Sequence, residues 1–145
     1  MEIDKLDKVA LLARSQESKA ASSLQRSQQV LDASNARLAQ LETFRKEYEE
    51  RLTQMSESGI DARQLADYRR FLANLNDAIR RQGDEVSRGE GEVRASRDFF
   101  VDRSLRRSSV DELISRGRAH EAREDDRREQ RRTDESTMAR YRLDP

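Results

Sequence analysis

Every seventh residue from Leu65 to Phe100 is apolar: Leu65, Leu72, Ile79, Val86, Val93 and Phe100. A repeat of that length marks a helical seam that needs a partner helix. A partner is present in the same chain, where Leu24, Leu31, Leu38 and Leu52 recur with the same spacing, interrupted at Arg45. Between the two runs lies Ser58-Gly59-Ile60-Asp61, a turn signal. The pattern predicts an all-α fold: a long antiparallel two-helix coiled coil, or helical hairpin, with its turn over residues 58–61.

Both helices take a heptad register. In the first, position a holds Ile3, Ala10, Glu17, Leu24, Leu31, Leu38, Arg45 and Leu52, and position d holds Leu6, Ala13, Ala20, Ser27, Ser34, Leu41, Tyr48 and Met55. Its residues would span on the order of 80 Å at the helical rise. Gly59 suits the cap that ends this helix, and Asp61 with Gln64 forms a capping-box pattern that starts the next. In the second, Leu65, Leu72, Ile79, Val86, Val93, Phe100, Arg107 and Ile114 occupy a; Tyr68, Leu75, Gln82, Gly89, Ser96, Arg103, Val110 and Gly117 occupy d.

A short turn makes the helices antiparallel neighbours, so facing residues have numbers summing to about 120. That register sets Leu31 by Gly89, Leu41 by Ile79, Leu24 by Ser96, Ala20 by Phe100 and Leu6 by Ile114, large against small. It also sets Glu17 by Arg103 as an ion pair within the seam. A register shifted by one heptad would bring Leu6 to Arg107 instead and ranks second. The hairpin therefore occupies residues 1–118, and residues 119–145 form a charged C-terminal extension, helical or frayed, with Met138, Tyr141 and Leu143 near its end. Ser109-Val110-Asp111-Glu112 is a second capping-box pattern and offers a break near Ser108. Gly83, Gly89 and Gly91 are read as a tolerated soft spot in the second helix.

Composition narrows the function. Charged residues make up 40% of the chain and aromatic residues 5%, which suits paired helices and disfavours a thick globular core. The one proline is Pro145, so no proline interrupts either helix. There is no cysteine for a disulfide or thiolate site, and no apolar stretch of membrane-spanning length. The acidic start Met1-Glu2-Ile3-Asp4 shows no secretory signal, so a soluble cytoplasmic protein is expected. Basic and acidic residues number 29 each and alternate in sign, which argues against nucleic acid as a partner. His120 is the one histidine, Arg88-Gly89-Glu90-Gly91 is acidic and helical in register, and no nucleophile, base and orienting group converge. The expectation is a protein without catalytic residues, metal or cofactor.

One patch does not reduce to the seam. Phe44 and Phe71 occupy position g, with Arg37 and Ala78 in the same column. In an antiparallel pair the two g columns share one edge, which brings Phe44 near Phe71 and Arg37 near Ala78, beside Leu41, Tyr48, Leu75 and Gln82 at d. Two readings stand open: a core widened near the turn, or a partly exposed aromatic groove of the kind found at protein interfaces.

The stretch Leu38-Ala39-Gln40-Leu41-Glu42-Thr43-Phe44-Arg45-Lys46-Glu47-Tyr48 resembles the FliJ family of flagellar type III export proteins. So does Leu65-Ala66-Asp67-Tyr68-Arg69-Arg70-Phe71-Leu72, followed by Leu75 and Ala78-Ile79-Arg80-Arg81-Gln82, with the Ser-Gly-Ile turn between them. The resemblance is most specific over residues 38–82 and extends in character over nearly the whole chain. It implies a noncatalytic cytoplasmic component of the flagellar export apparatus, a stalk-like rod. The end carrying both termini is expected to engage the hexameric export ATPase. The side of the rod is expected to contact the cytoplasmic domain of the export gate protein, and the protein to escort export chaperones emptied of cargo. Membrane association would come only through these partners at the inner membrane, and the free chain would be a monomer. The family's gate-binding surface falls here on Arg37, Leu41, Phe44, Tyr48, Phe71, Leu75, Ala78 and Gln82. The competing expectations are a generic homodimerising coiled coil and the injectisome counterpart in a virulence secretion system.

Overall fold

In a computed structural model, which describes residues 2–143 and the side chains of residues 4–142, two helices account for nearly all of the chain. Helix α1 runs Glu2–Ser58 and α2 runs Ala62–Leu143. The side chains of Ile3 and Leu143, and Met1, Asp144 and Pro145, lie outside the described residues. No strand occurs among the described residues, and the fold is all-α. The connection is as short as the turn signal implies. Gly59 has φ 89°, a left-handed conformation that costs a residue without Cβ little. Asp61 then caps α2: its carbonyl accepts from Leu65 N at 2.9 Å, and its Oδ1 accepts from Arg63 N at 3.4 Å. The side-chain bond falls on Arg63, one residue before the Gln64 of the capping-box pattern. α2 continues without interruption past Ser108, so the second capping-box pattern is overridden. Those residues lie in the middle of a seam, where packing of Val110 and Ile114 favours continuation over a local cap.

Contacts divide the chain into two compact units, Ala20–Phe100 and Met1–Lys19 with Val101–Pro145. In both, every described a and d residue through Gly117 is buried or half-buried, as the heptad register requires.

Within Ala20–Phe100 the turn folds α2 back on α1. Leu31, Val86 and Val93 form the core, with Leu24 and Leu38 packed against it. Gly89 is buried where Leu31 crosses it: an added Cβ would lie 3.2 Å from Leu31 Cδ1. The Ser27 and Ser96 hydroxyls meet at 2.9 Å, Gln82 Nε2 donates to the Ser34 carbonyl at 3.0 Å, and Arg45 Nη1 donates to Asn76 Oδ1 at 3.4 Å. That last bond lets the polar interruption at Arg45 sit half-buried in the seam.

In the other unit Ala10, Val110 and Ile114 form the core, joined by Leu6. Ala10 packs with Val110 and Ile114, and Leu6 joins that cluster, which selects the first register over its one-heptad alternative. The ionic layer differs in detail from expectation. Glu17 accepts from Arg107 Nε at 3.3 and 3.2 Å, where Arg103 had been expected as its partner. Arg107 occupies the next layer of the same seam, and an arginine side chain spans a helical turn. Asp111 Oδ2 accepts from its Nη1 at 3.4 Å and fixes the other side of the guanidinium. Arg14–Asp111 and Arg118–Asp7, both 3.3 Å, close one edge of this unit.

Candidate functional site

The eight residues singled out from the sequence all lie in the unit Ala20–Phe100, and the structure sorts them into two layers. Leu75 is 9% exposed and belongs to the seam. Leu41, Tyr48, Ala78 and Gln82 are half-buried, while Arg37, Phe44 and Phe71 are exposed. Phe44 is 52% exposed and Phe71 44%, too much for a widened core and enough to leave a large part of each side chain to solvent. The aromatic edge is thus laid over a seam that holds its base in place.

Heptad geometry explains this layering. The d residues Leu41, Tyr48, Leu75 and Gln82 point between the helices, and the g residues Phe44, Phe71 and Ala78 flank them. Two helices can enclose their a and d columns but not a large ring at g. Phe71 finds part of its cover on Tyr48: the ring centroids are 4.5 Å apart at 44°. Tyr48 also meets Tyr68, at 6.2 Å and 52°. Among the described residues the ring beside Phe71 is that of Tyr48 and not of Phe44, because the register places Tyr48 level with Phe71 and Phe44 a turn away. The Arg51 guanidinium lies 5.3 Å from the Tyr48 centroid, within cation–π range. Arg51 extends the g column one heptad beyond Phe44, a signal present in the sequence and not used there.

The other end of the patch is polar. Gln82, whose Nε2 donates to the Ser34 carbonyl, is pinned to α1 and keeps its Oε1 and second N–H for other partners. Leu41, Ala78 and Gln82 line an open groove with Arg81, Asp84, Glu85 and Arg88. Arg88 pairs with Glu85 along its rim. The arrangement therefore offers an apolar, aromatic ledge beside a shallow groove with charges of both signs. This suits a protein surface better than a small molecule, which needs an enclosed cavity.

Nothing in the site is arranged for bond chemistry. No group of three or more His, Cys, Asp or Glu among the described residues could hold a metal ion. No described helix is long and apolar enough to cross a membrane. Among the described residues the one titratable group whose proton affinity is clearly displaced is Arg107, in the other unit. Its hydrogen bond to Glu17 first, and to Asp111 second, raise it above the ordinary arginine value. That strengthens a charge already permanent and serves packing, not catalysis.

No curated protein and no solved structure matches the chain. The family model for flagellar FliJ proteins, however, matches residues 1–144. Together with the two long helices and the turn at Gly59, this match identifies the chain as a member of the flagellar FliJ protein family, a component of the flagellar export apparatus.

Proposed function

We propose that the protein is a noncatalytic, stalk-like adaptor of flagellar protein export that docks on the cytoplasmic domain of the export gate through the edge carrying Phe44 and Phe71. The single observation that supports this reading is the half-exposure of those two rings beside a fully packed Leu75. Exposed aromatic side chains held by a rigid base lose little entropy on binding and supply large contact area. Tyr48 beneath Phe71 and Arg51 beyond it give the edge a fixed shape. Arg37, Leu41, Ala78 and Gln82 complete the surface toward the groove.

In this reading the part of the chain near both termini engages the hexameric export ATPase, and emptied export chaperones are escorted by the same protein. It works in the cytoplasm, held at the inner membrane only through its partners, and is a monomer when free. Residues 119–145 act as a charged extension separate from the paired region. Co-purification with the hexameric ATPase and the gate domain, with wild type and with Phe71→Ala, tests the division of labour. The variant is expected to retain the ATPase and lose the gate domain. Retention of both, or loss of helical content, would mean that Phe71 is structural and that the gate binds elsewhere.

A further inference from the structure

The two edges of the unit formed by Met1–Lys19 and Val101–Pro145 have opposite chemistry. On one edge Asp7, Arg14, Asp111 and Arg118 pair across the seam, so its charges satisfy each other. On the other edge the g positions include Val9 and Leu113, level with one another in the observed register, followed by Gln16 and Arg106, and Leu12 lies one turn on from Val9. Val9, Leu12 and Leu113 are exposed side chains; Leu12 is 58% exposed. Around them stand Lys5, Lys19 and Arg106, exposed and joined to no ion pair among the described residues, with one exposed carboxylate, Asp102, on the same edge at the level of Lys19. Arg116 stands nearby, bonded to Glu112 at 2.6 Å.

From this we infer that the edge bearing Val9, Leu12 and Leu113 is a second docking surface, and that its occupant is an acidic amphipathic helix of another protein. Charge complementarity selects the occupant. Apolar side chains in the middle call for an apolar stripe, and exposed cations that form no ion pair among the described residues call for carboxylates flanking that stripe. Lys5 and Lys19 are separated by roughly 20 Å of helix, so a partner of about four turns can satisfy both. A helix laid between the two g columns packs on α1 and α2 together. Nucleic acid does not fit, because a phosphate backbone leaves Val9, Leu12 and Leu113 uncovered and finds too few cations. A bilayer fits less well, because Val9 and Leu113 flank a seam and cannot reach the 5–10 Å depth at which an interfacial helix buries its apolar face.

Val9, Leu12 and Leu113 belong to a different unit from Phe44 and Phe71. Their edge refines the engagement of the ATPase only if that enzyme supplies the helix, and in that respect rests on the end-engagement reading. The test uses the full chain in its native cell, with a photo-crosslinking residue placed at Leu12, at Leu113, or at Ser18 on the other side as control. The expected result is that Leu12 and Leu113 capture one and the same peptide of another protein. That peptide should be rich in Asp and Glu with apolar residues at helical spacing, and Ser18 should not capture it. The charge reversal Lys5→Glu/Lys19→Glu/Arg106→Glu should cut the yield at least about tenfold with helical content unchanged. If that variant loses helicity, raising salt on the wild type to about 0.5 M gives the same reading, since it screens the flanking charges and should also lower the yield. Adducts with a second copy of the chain, with lipid, or with a peptide lacking acidic residues would overturn the inference. So would no adduct, or a yield indifferent to both charge reversal and salt. A wild-type chain that gives no adduct while the ATPase still co-purifies with it removes this edge and leaves the end-engagement reading standing; an adduct lost on charge reversal while the ATPase stays bound keeps this edge and shows that the ATPase is held elsewhere.

Discussion

Three glycines in α2 give a sharp test of the pairing, because the structure assigns them different surroundings. A Cβ at Gly83 would meet nothing within 4 Å, and one at Gly91 would meet only the tip of Arg94 at 3.8 Å. Both positions lie inside α2, where alanine is better than glycine by about 1 kcal/mol. Gly83→Ala and Gly91→Ala should therefore each stabilise the protein by about 1 kcal/mol. The two positions are about 12 Å apart along the helix, beyond the range where substitutions couple, so the double variant should gain about 2 kcal/mol. Gly89 is different. Its Cβ would lie 3.2 Å from Leu31 Cδ1 and 3.7 Å from Leu31 Cα. Leu31 is buried, so moving it aside draws on the overpacking cost of roughly 1–3 kcal/mol, which cancels or exceeds the same helical gain. Gly89→Ala should fall at least about 1 kcal/mol below Gly83→Ala in stability. Reversible urea unfolding followed by circular dichroism measures all three. If Gly89→Ala gains as much as the other two, Leu31 does not cross Gly89 and the register is wrong. If Gly83→Ala and Gly91→Ala gain nothing, those residues are not in a helix interior in solution.

Other outcomes follow from the same packing. Ala20 is 1% exposed, so Ala20→Leu should destabilise by roughly 1–3 kcal/mol in the same urea assay, and a neutral result would mean that the helices do not approach closely there. Every described residue from Asp125 to Arg142 is exposed, so a chain ending at residue 118 should unfold at nearly the same temperature as the whole, with its far-ultraviolet signal reduced by the missing helix. A large fall in melting temperature would contradict the proposed boundary. For Arg107 the sign of the pH effect is set by its raised proton affinity. A raised value adds stability that is fully present below the ordinary arginine range and is lost only as pH rises through the raised value. The coupling energy of Glu17→Gln with Arg107→Gln should therefore be the same at about pH 6 and about pH 9; a coupling that collapses between them would show that another group titrates in the layer.

The ladder from Leu65 to Phe100 was legible because a two-helix seam needs only periodicity. The a and d columns it names are the ones the structure covers. The turn was legible because Gly59 and Asp61 carry specific backbone requirements. Partners of long polar side chains were not. Heptad arithmetic set Glu17 against Arg103, but an arginine reaches a turn along the axis, and Arg107 makes the bond. The same limit applies to the aromatic edge. The g column located Phe44 and Phe71 on one side, yet the ring beside Phe71 is Tyr48, because the level of a side chain depends on where it points as well as on its heptad letter. Periodicity also says nothing of which charges find partners. Asp7 and Arg14 are paired across the seam whereas Lys5 and Lys19 form no ion pair among the described residues, and only side-chain geometry separates them.

The central claim is that Phe44 and Phe71 are partner-facing residues on an independently stable hairpin edge. Calorimetric titration of the purified gate cytoplasmic domain with wild type, Phe44→Ala, Phe71→Ala and the opposite-edge control Arg69→Ala tests it most directly. Truncating an aromatic anchor at an interface costs on the order of 1–2 kcal/mol or more, so each Phe variant should bind at least about tenfold more weakly. Helical content should stay within error of wild type, and Arg69→Ala should bind as wild type does. Unchanged affinity for both Phe variants, an equal loss with Arg69→Ala, or a loss that tracks unfolding would contradict the account.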